Sequence, residues 1–317
     1  MINNPTDVLN LKSLFERDLI SREEYWTGIE GYLSIVRNLR FYVRGKVNCI
    51  EINDKNLSII YNLDSSNSLK LLVPENDLRT ASFTVLLNGN YENLLEEILF
   101  LLFKESAHFI DIGANIGFYS ISSSILNPTL KCTAFEPNPR IKRVFSNNIA
   151  INNLDNITVH ELALSNYSGQ ADFYIPAFTG SGGGSFQILH PEEGEPISYK
   201  VGVKTLDEIV KDNSGIDLIK IDVEGSEYQV ILGALNTIKN FKPTIVVELL
   251  RKWMRPFESS PQMVLDHLSS LGYSCFAVSN DSIRKVNKID DLTTETNFIF
   301  SHSNNESHNL ILSRFYK

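Results

Sequence analysis

Three short apolar runs end in carboxylates, and each is followed by residues that turn the chain into a helix. The first is Phe109-Ile-Asp-Ile-Gly-Ala-Asn-Ile-Gly117, of the form D-x-G-x-x-x-G. Asp111 lies at the carboxyl end of a predicted strand. Gly113 is expected to allow a tight turn and Gly117 a close approach of backbone to ligand, because a Cβ at either place would fill the ligand's volume. A pyrophosphate binder normally carries G-x-G-x-x-G with helix amides facing the phosphates. That triplet is missing here, and a carboxylate in this loop repels pyrophosphate and suits an ammonium. The second run, Thr133-Ala-Phe-Glu-Pro-Asn-Pro139, closes on Glu136. An acid at the end of a second strand accepts two hydrogen bonds from a ribose diol. Pro137 and Pro139 set the turn into the next helix, with Asn138 as a polar contact to the same ligand. The third run, Asp217-Leu-Ile-Lys-Ile-Asp-Val-Glu-Gly-Ser-Glu227, stops in a cluster of Asp222, Glu224 and Glu227 around Gly225. The carboxyl ends of strands in open α/β sheets border the ligand crevice, so Asp222 and Glu224 should face the same mouth as Asp111 and Glu136. The blander alternative for Glu224 and Glu227 is a pair of solvated acids in the first turn of a helix, where the dipole favours them.

The elements that must position these acids alternate along the chain. FIDIG, a helix from Ile116, KCTAFEP, a helix over 139–152, ITVHELAL, ADFYIP, DLIKIDVEG, a helix from Glu227 and PTIVVEL follow one another. This is the pattern of a doubly wound, mostly parallel α/β sheet. Residues 261–272 read as a further helix ended by Gly272, before the strand YSCFAVS and a strand TNFIFSH expected to pair as an antiparallel edge. Upstream, residues 6–44 carry apolar positions at helical spacing, broken near Ile20-Ser21, and 46–74 hold three β-rich runs separated by turn clusters. Residues 91–103 form an amphipathic helix. The chain thus divides into a helical and β appendage over 1–80 and an α/β domain over 81–317. A long loop from about Ala177 to Ser198 carries Thr179-Gly-Ser-Gly-Gly-Gly-Ser185. Loops of that length in a compact domain are often functional.

Composition narrows the partners. Of 317 residues, 43% are hydrophobic and 21% charged, as in ordinary globular chains. Lys and Arg number 29 against 38 Asp and Glu, a net charge of −9, so no basic field collects the phosphates of a nucleic acid. Cys49, Cys132 and Cys275 are far apart and form no C-x-x-C pair, so neither a disulfide framework nor a zinc cluster is indicated, and a reducing, cytoplasmic compartment fits best. MINNPTDVLNLKSLF lacks a basic region followed by an apolar core, and the most apolar run, Leu94 to Phe103, contains Glu96 and Glu97. Neither a secretory leader nor a membrane span is expected.

In that order, FIDIGANIGFYS, AFEPNP, ELALSNYSG, KTLDEI, IKIDVEGSEYQVILGA and PTIVVEL resemble the FkbM family of S-adenosylmethionine-dependent methyltransferases. The resemblance covers about Asn88 to Ser301 and adds little over residues 1–80. It implies a class I methyltransferase (Rossmann-like) fold, S-adenosylmethionine as cofactor, and methyl transfer to a hydroxyl. The acceptor it implies is a sugar in a bacterial glycan or glycolipid, or alternatively a polyketide-type or other small metabolite. By the same resemblance Asp111, Gly113, Asn115 and Gly117 form the methionine-side loop, Glu136 binds the ribose hydroxyls, and Glu161 to Ser165, Ala163 included, border the adenine. Asp222 and Glu224 lie near the methionine moiety and the acceptor.

An aliphatic alcohol is a poor nucleophile, so a general base within hydrogen-bond reach is worth about 10²–10⁴-fold. Asp222, Glu224 and His190 of the glycine-bearing loop are the candidates; for His190 a solvent-facing loop position is the alternative. Glu248, at the end of PTIVVEL, opens a variant in which Asp222, Glu224 and Glu248 hold Mg²⁺ or Ca²⁺ through oxygen ligands. Arg251-Lys-Trp-Met-Arg-Pro-Phe257 combines cations with aromatics after a strand end. It offers a wall for a sugar ring, packed on Trp253 and bonded by Arg251 or Arg255, or else a partly packed surface loop. His108, His160, His267, His302 and His308 read as packing or exposed residues. Two rivals remain at this level: an NAD-type oxidoreductase, which should have shown G-x-G-x-x-G, and a catalytically silent binding or scaffold domain, which intact acids at three strand ends disfavour.

Overall fold

The computed structural model describes residues 5–53, 56–75, 77–178, 180–210 and 215–316. Residues 1–4 of the segment read for a leader, and Thr179 at the start of the glycine stretch, lie outside the described residues. Helices α1 (Pro5–Glu16) and α2 (Arg22–Asn38) lead into an antiparallel sheet of β1 (Val47–Ile52), β2 (Leu57–Asn62) and β3 (Ser68–Leu72). The break between the helices is a capping box. Glu24 N donates to Ser21 Oγ at 3.1 Å while Ser21 N donates to Glu24 Oε2 at 2.8 Å. Next come α3 (Ala81–Asn88), absent from the sequence reading, and α4 (Asn93–Lys104).

Strand–helix alternation then runs through β4 (His108–Ile112), α5 (Phe118–Leu126), β5 (Lys131–Phe135), α6 (Pro139–Ile151) and β6 (Ile157–His160). After β7 (Ala163–Leu164), β8 (Gly169–Ile175), β9 (Ile197–Lys204) and α7 (Leu206–Ile209), it resumes with β10 (Leu218–Ile221), α8 (Glu227–Leu232), α9 (Leu235–Phe241) and β11 (Thr244–Glu248). The described chain closes with α10 (Arg251–Met254), α11 (Pro261–Ser270), β12 (Tyr273–Val278), β13 (Ile283–Val286), β14 (Asn297–His302) and α12 (Glu306–Ser313).

The main sheet has the order β13-β12-β14-β11-β10-β4-β5-β6. Strands β6, β5, β4, β10 and β11 are mutually parallel, and β14 pairs antiparallel with both β11 and β12. The expected antiparallel edge therefore exists, but it is β13. TNFIFSH, read as that edge, is interior because its Phe298 and Phe300 are fully buried beneath helices and its backbone is claimed on both sides. Alternate residues of the central strands face opposite layers. Phe109, Leu218 and Val246 join a core with α4, α5, α6 and the small sheet, while Ile110, Ile219 and Ile245 join one with α8, α9 and α11. This burial on both faces is what parallel strands require. A second omission is β9, which completes a three-stranded sheet β7-β9-β8 inside the region read partly as loop.

The small sheet docks on the main one through side chains that imitate a strand. Asn152, just past α6, accepts from Lys70 N at 2.9 Å and donates to Lys70 O at 2.7 Å, and Asn148 of α6 accepts from Leu72 N at 2.9 Å. Edge groups of β3 are thereby satisfied. On α4, Glu96 is 1% exposed and receives Lys46 Nζ and, at 2.6 Å, the Tyr61 hydroxyl.

Candidate functional site

At the end of β4 the chain turns through Gly113 (φ 80°) and Asn115 (φ 51°) before α5. A Cβ on Gly113 would collide with the Asp222 carbonyl oxygen, and one on Gly117 (φ 86°) with the Phe145 ring. Gly113 thus makes room for the neighbouring strand end and Gly117 for α6, and Gly113 also borders the cleft. Asp111, 1% exposed, accepts from Ser120 Oγ at 2.6 Å, and burial raises its pKa.

Glu136, at the end of β5, ties two loops together. Its Oε2 accepts from Asn115 N and its Oε1 from Asn138 N, both at 2.9 Å, and burial pushes its pKa up to about 7. Asn138 is spent as the cap of α6, accepting from Arg140 N at 3.0 Å with Pro139 at the first helical position. Leu162 and Ala163 reach the cleft, whereas Glu161 is exposed and lies 3.8 Å from Lys142 Nζ.

The end of β10 brings the largest group of charges. Lys220 Nζ donates to Asp222 Oδ2 at 2.8 Å. Burial opposes its charge, but Asp222, Glu92 and Asp111 outweigh that and raise its pKa. Glu224 adopts φ 53°, and its buried Oε2 accepts no hydrogen bond among the described residues. Burial, followed by the charges of Asp222 and Glu248, holds the Glu224 carboxyl well above the usual range. Glu227 is no solvated helix acid: it is 2% exposed and its Oε1 accepts from Gly225 N at 2.9 Å and Val223 N at 3.3 Å. Glu248, at the end of β11, and Glu92, just before α4, are likewise raised by burial.

Asp111, Gly113, Asn115, Glu136, Ala163, Asp222, Glu224 and Glu248 all border one cleft of about 330 Å³. Gly117, Asn138, Glu161, His190, Arg251, Trp253 and Arg255 are not among its lining residues. His190 is neither exposed nor at the cleft. Its ring lies 4.8 Å from Trp253, with Nε2 2.9 Å from Arg79 Nη1 and Nδ1 3.2 Å from Glu192 Oε1. It therefore braces Arg79, which does line the cleft, beneath a glycine loop whose Gly182 and Gly183 press on Arg79 too closely for side chains. Arg251 donates to the carbonyls of Asp290 and Thr293, and so pins a loop where a sugar contact was expected; Arg255 is exposed. The variant in which Asp222, Glu224 and Glu248 hold a metal finds no support. No group of three or more His, Cys, Asp or Glu among the described residues is arranged to hold a metal ion, and the Lys220 ammonium stands among the acids instead.

Sequence reasoning missed Lys220, Glu92, Arg79 and the cleft residues Tyr91 and Tyr119. A lysine inside the apolar run LIKI was the available signal, since a strand buried on both faces has no ordinary place for one. Arg79 and Glu92 carried no local signal.

A doubly wound sheet with acids gathered where its strand order reverses defines a Rossmann-like α/β protein with its ligand cleft at the carboxyl edge. The family described as Methyltransferase FkbM domain matches residues 111–275, just over half of the chain, and the chain belongs to that family. With β14 between β11 and β12, its sheet is of the class I methyltransferase kind. Among curated relatives, Methyltransferase sdnD of Sordaria araneosa is 28% identical, matching 44% of this chain and 64% of its own. The 2-O-methyltransferase NoeI of Sinorhizobium fredii (strain NBRC 101917 / NGR234) is 31% identical, matching 45% of this chain and 63% of its own. The chain therefore spans less than two thirds of the length of these relatives. The crystal structure of Methyltransferase FkbM from Methylobacillus flagellatus KT aligns with a TM-score of 0.40 and 17% identity over 62% of this chain and 44% of that one. No helix among the described residues is long and apolar enough to cross a membrane.

Proposed function

We propose that the protein is an S-adenosylmethionine-dependent O-methyltransferase acting on a sugar hydroxyl. The observation that carries this reading is the convergence of Asp111, Glu136 and Asp222, from the ends of three adjacent parallel strands, on one cleft. The donor set fits the cofactor: carboxylates suit a cationic sulfonium and ammonium, and Glu224 keeps a buried oxygen open on the same wall. When bound, S-adenosylmethionine supplies a methyl group already activated on sulfur. The chain's residues bind, orient and take a proton. Glu136, fixed by two amides, keeps lone pairs in one orientation for a ribose diol. Phe135, Leu162 and Ala163 offer an apolar wall for the adenine. With the cationic donor beside it favouring its ionised form, Glu224 takes the proton of the acceptor hydroxyl at Oε2, and a carboxylate whose pKa is raised is then the stronger base. His190 acts through Arg79 by holding it at the mouth of the cleft. The name of the NoeI relative supports hydroxyl transfer.

In this reading residues 81–317 form the catalytic domain and 1–80 an appendage whose Leu78 and Arg79 reach the cleft. The free state of Cys49, Cys132 and Cys275 supports a cytoplasmic location. The deciding experiment is calorimetry with S-adenosylmethionine and S-adenosylhomocysteine, using NAD as control, on the wild type and Glu136→Ala. The adenosyl ligands should bind and NAD should not, with affinity falling about ten-fold or more in Glu136→Ala. No binding by a folded wild type would return the protein to the scaffold reading.

A further inference from the structure

Lys220 sits where strand alternation calls for an apolar side chain, on the face that carries Leu218 and Val246 into the core, and it is 6% exposed. A buried ammonium without partners is not sustainable. Here the partners come from several elements. Nζ donates to Asp222 Oδ2 at 2.8 Å and lies 5.3 Å over the Tyr119 ring of α5. Asp111 stands opposite Lys220 in the register of β4 and β10. Glu92, ahead of α4 and bonded by the Tyr119 hydroxyl, and Glu248, at the end of β11, act on the same charge, with Tyr91, Glu136 and Glu224 as further titratable groups of this wall. The outcome is a strongly acidic surface with a positive point fixed within it.

We propose that Lys220 is a positioning residue: by tethering Asp222 and offsetting the charges of Glu92, Asp111 and Glu248, it holds the acidic wall in the arrangement that receives the cationic end of the donor. This rests on the S-adenosylmethionine reading of the cleft. Without the ammonium the acids repel one another, and carboxyl groups so placed respond by taking up protons. A protonated wall no longer attracts a cation. Because Lys220 opposes the upward shifts of Glu92, Asp111 and Glu248, its loss drives all three higher, and donor affinity then recovers only as pH rises and they ionise again.

The test combines carbon-13 carboxyl NMR titration of the ligand-free protein with calorimetry against S-adenosylmethionine over the same pH range. In Lys220→Gln the titrations of Glu92, Asp111 and Glu248 should move up by about one unit or more, and affinity should fall about ten-fold or more at neutral pH and recover in alkali. Lys220→Arg keeps the charge but misplaces the tether, so its carboxyl titrations stay as in the wild type while affinity drops about three-fold. Wild-type affinity in Lys220→Gln, or carboxyl titrations that do not move, overturns the role of Lys220 alone. If Lys220→Gln does not fold, wild-type affinity in Lys220→Arg overturns it. A wild type that binds no S-adenosylmethionine overturns the cofactor assignment and this proposal with it.

Discussion

Glu96 and Glu224 both carry a carboxylate into the interior, one beneath the small β1–β3 sheet and the other beneath the glycine loop. Glu96 is saturated, with Lys46 on one oxygen and the Tyr61 hydroxyl on the other. Glu224 has an oxygen that accepts nothing among the described residues, on a backbone held in the left-handed region at φ 53°. A saturated buried acid fastens two elements together. An unsaturated one costs stability and persists at sites that meet a partner from outside. The two regions are also mechanically joined. Glu92 lies one helical turn before Glu96, so the clamp that seats α4 on the small sheet also sets where Glu92 enters the cleft.

The sharpest way to break this contrast is Glu224→Gln. Turnover should fall about 10²–10⁴-fold while donor affinity stays within about two-fold, and the urea midpoint should hold because one buried neutral group replaces another of the same shape. Unchanged turnover with an accepted sugar would place Glu224 with the structural acids. Glu96→Ala should behave in the opposite way. It leaves the Tyr61 hydroxyl without its acceptor and Lys46 without its partner, which costs about 2–4 kcal/mol in urea unfolding. A loss of turnover with full stability would reverse the assignment of the two acids.

Glu227 offers the smallest and most quantitative refinement. Burial raises its pKa from 4.5 to about 7. A folded-state value above the unfolded one favours the fold while the group is protonated. The contribution is therefore complete below about pH 4.5 and lost as pH rises through about 7, a change of about 3 kcal/mol. Glu136, also raised to about 7, acts with the same sign in the ligand-free protein. Urea midpoints measured across that window should decline in the wild type and decline less steeply in Glu227→Gln, the other raised carboxyls accounting for the remaining slope. A slope equal to that of the wild type would show that Glu227 does not hold its proton in the fold.

The acids at strand ends were legible because the placement of ligands at the carboxyl edge of a doubly wound sheet is a rule of topology. Asp111, Glu136, Asp222, Glu224 and Glu248 reach one cleft on that rule alone. Residues whose partners lie far along the chain were not legible. Gly117 answers to Phe145, Arg251 to the carbonyls of Asp290 and Thr293, and His190 to Arg79, and none of these pairings leaves a local pattern. The missed β9 shows a different failure. Val201 and Val203 point inward between exposed Lys200 and Lys204, a clear alternation, yet the glycine-rich text before it suggested an uninterrupted loop. Edge strand β13 is only four residues long, with exposed Arg284 and Lys285 at its centre, too little for periodicity to speak.

The position of β14 has a consequence for how the chain is made. During vectorial synthesis β11 and β12 leave the ribosome before the strand that separates them, so each keeps an apolar edge open until residues 297–302 have emerged. The cleft-bearing strands β4, β5, β6, β10 and β11 can associate earlier, but the other half of the sheet must wait. In that interval a nascent chain is exposed to mispairing between copies, and the demand for chaperone protection falls on the stretch between β11 and β14 and not on the residues that build the site.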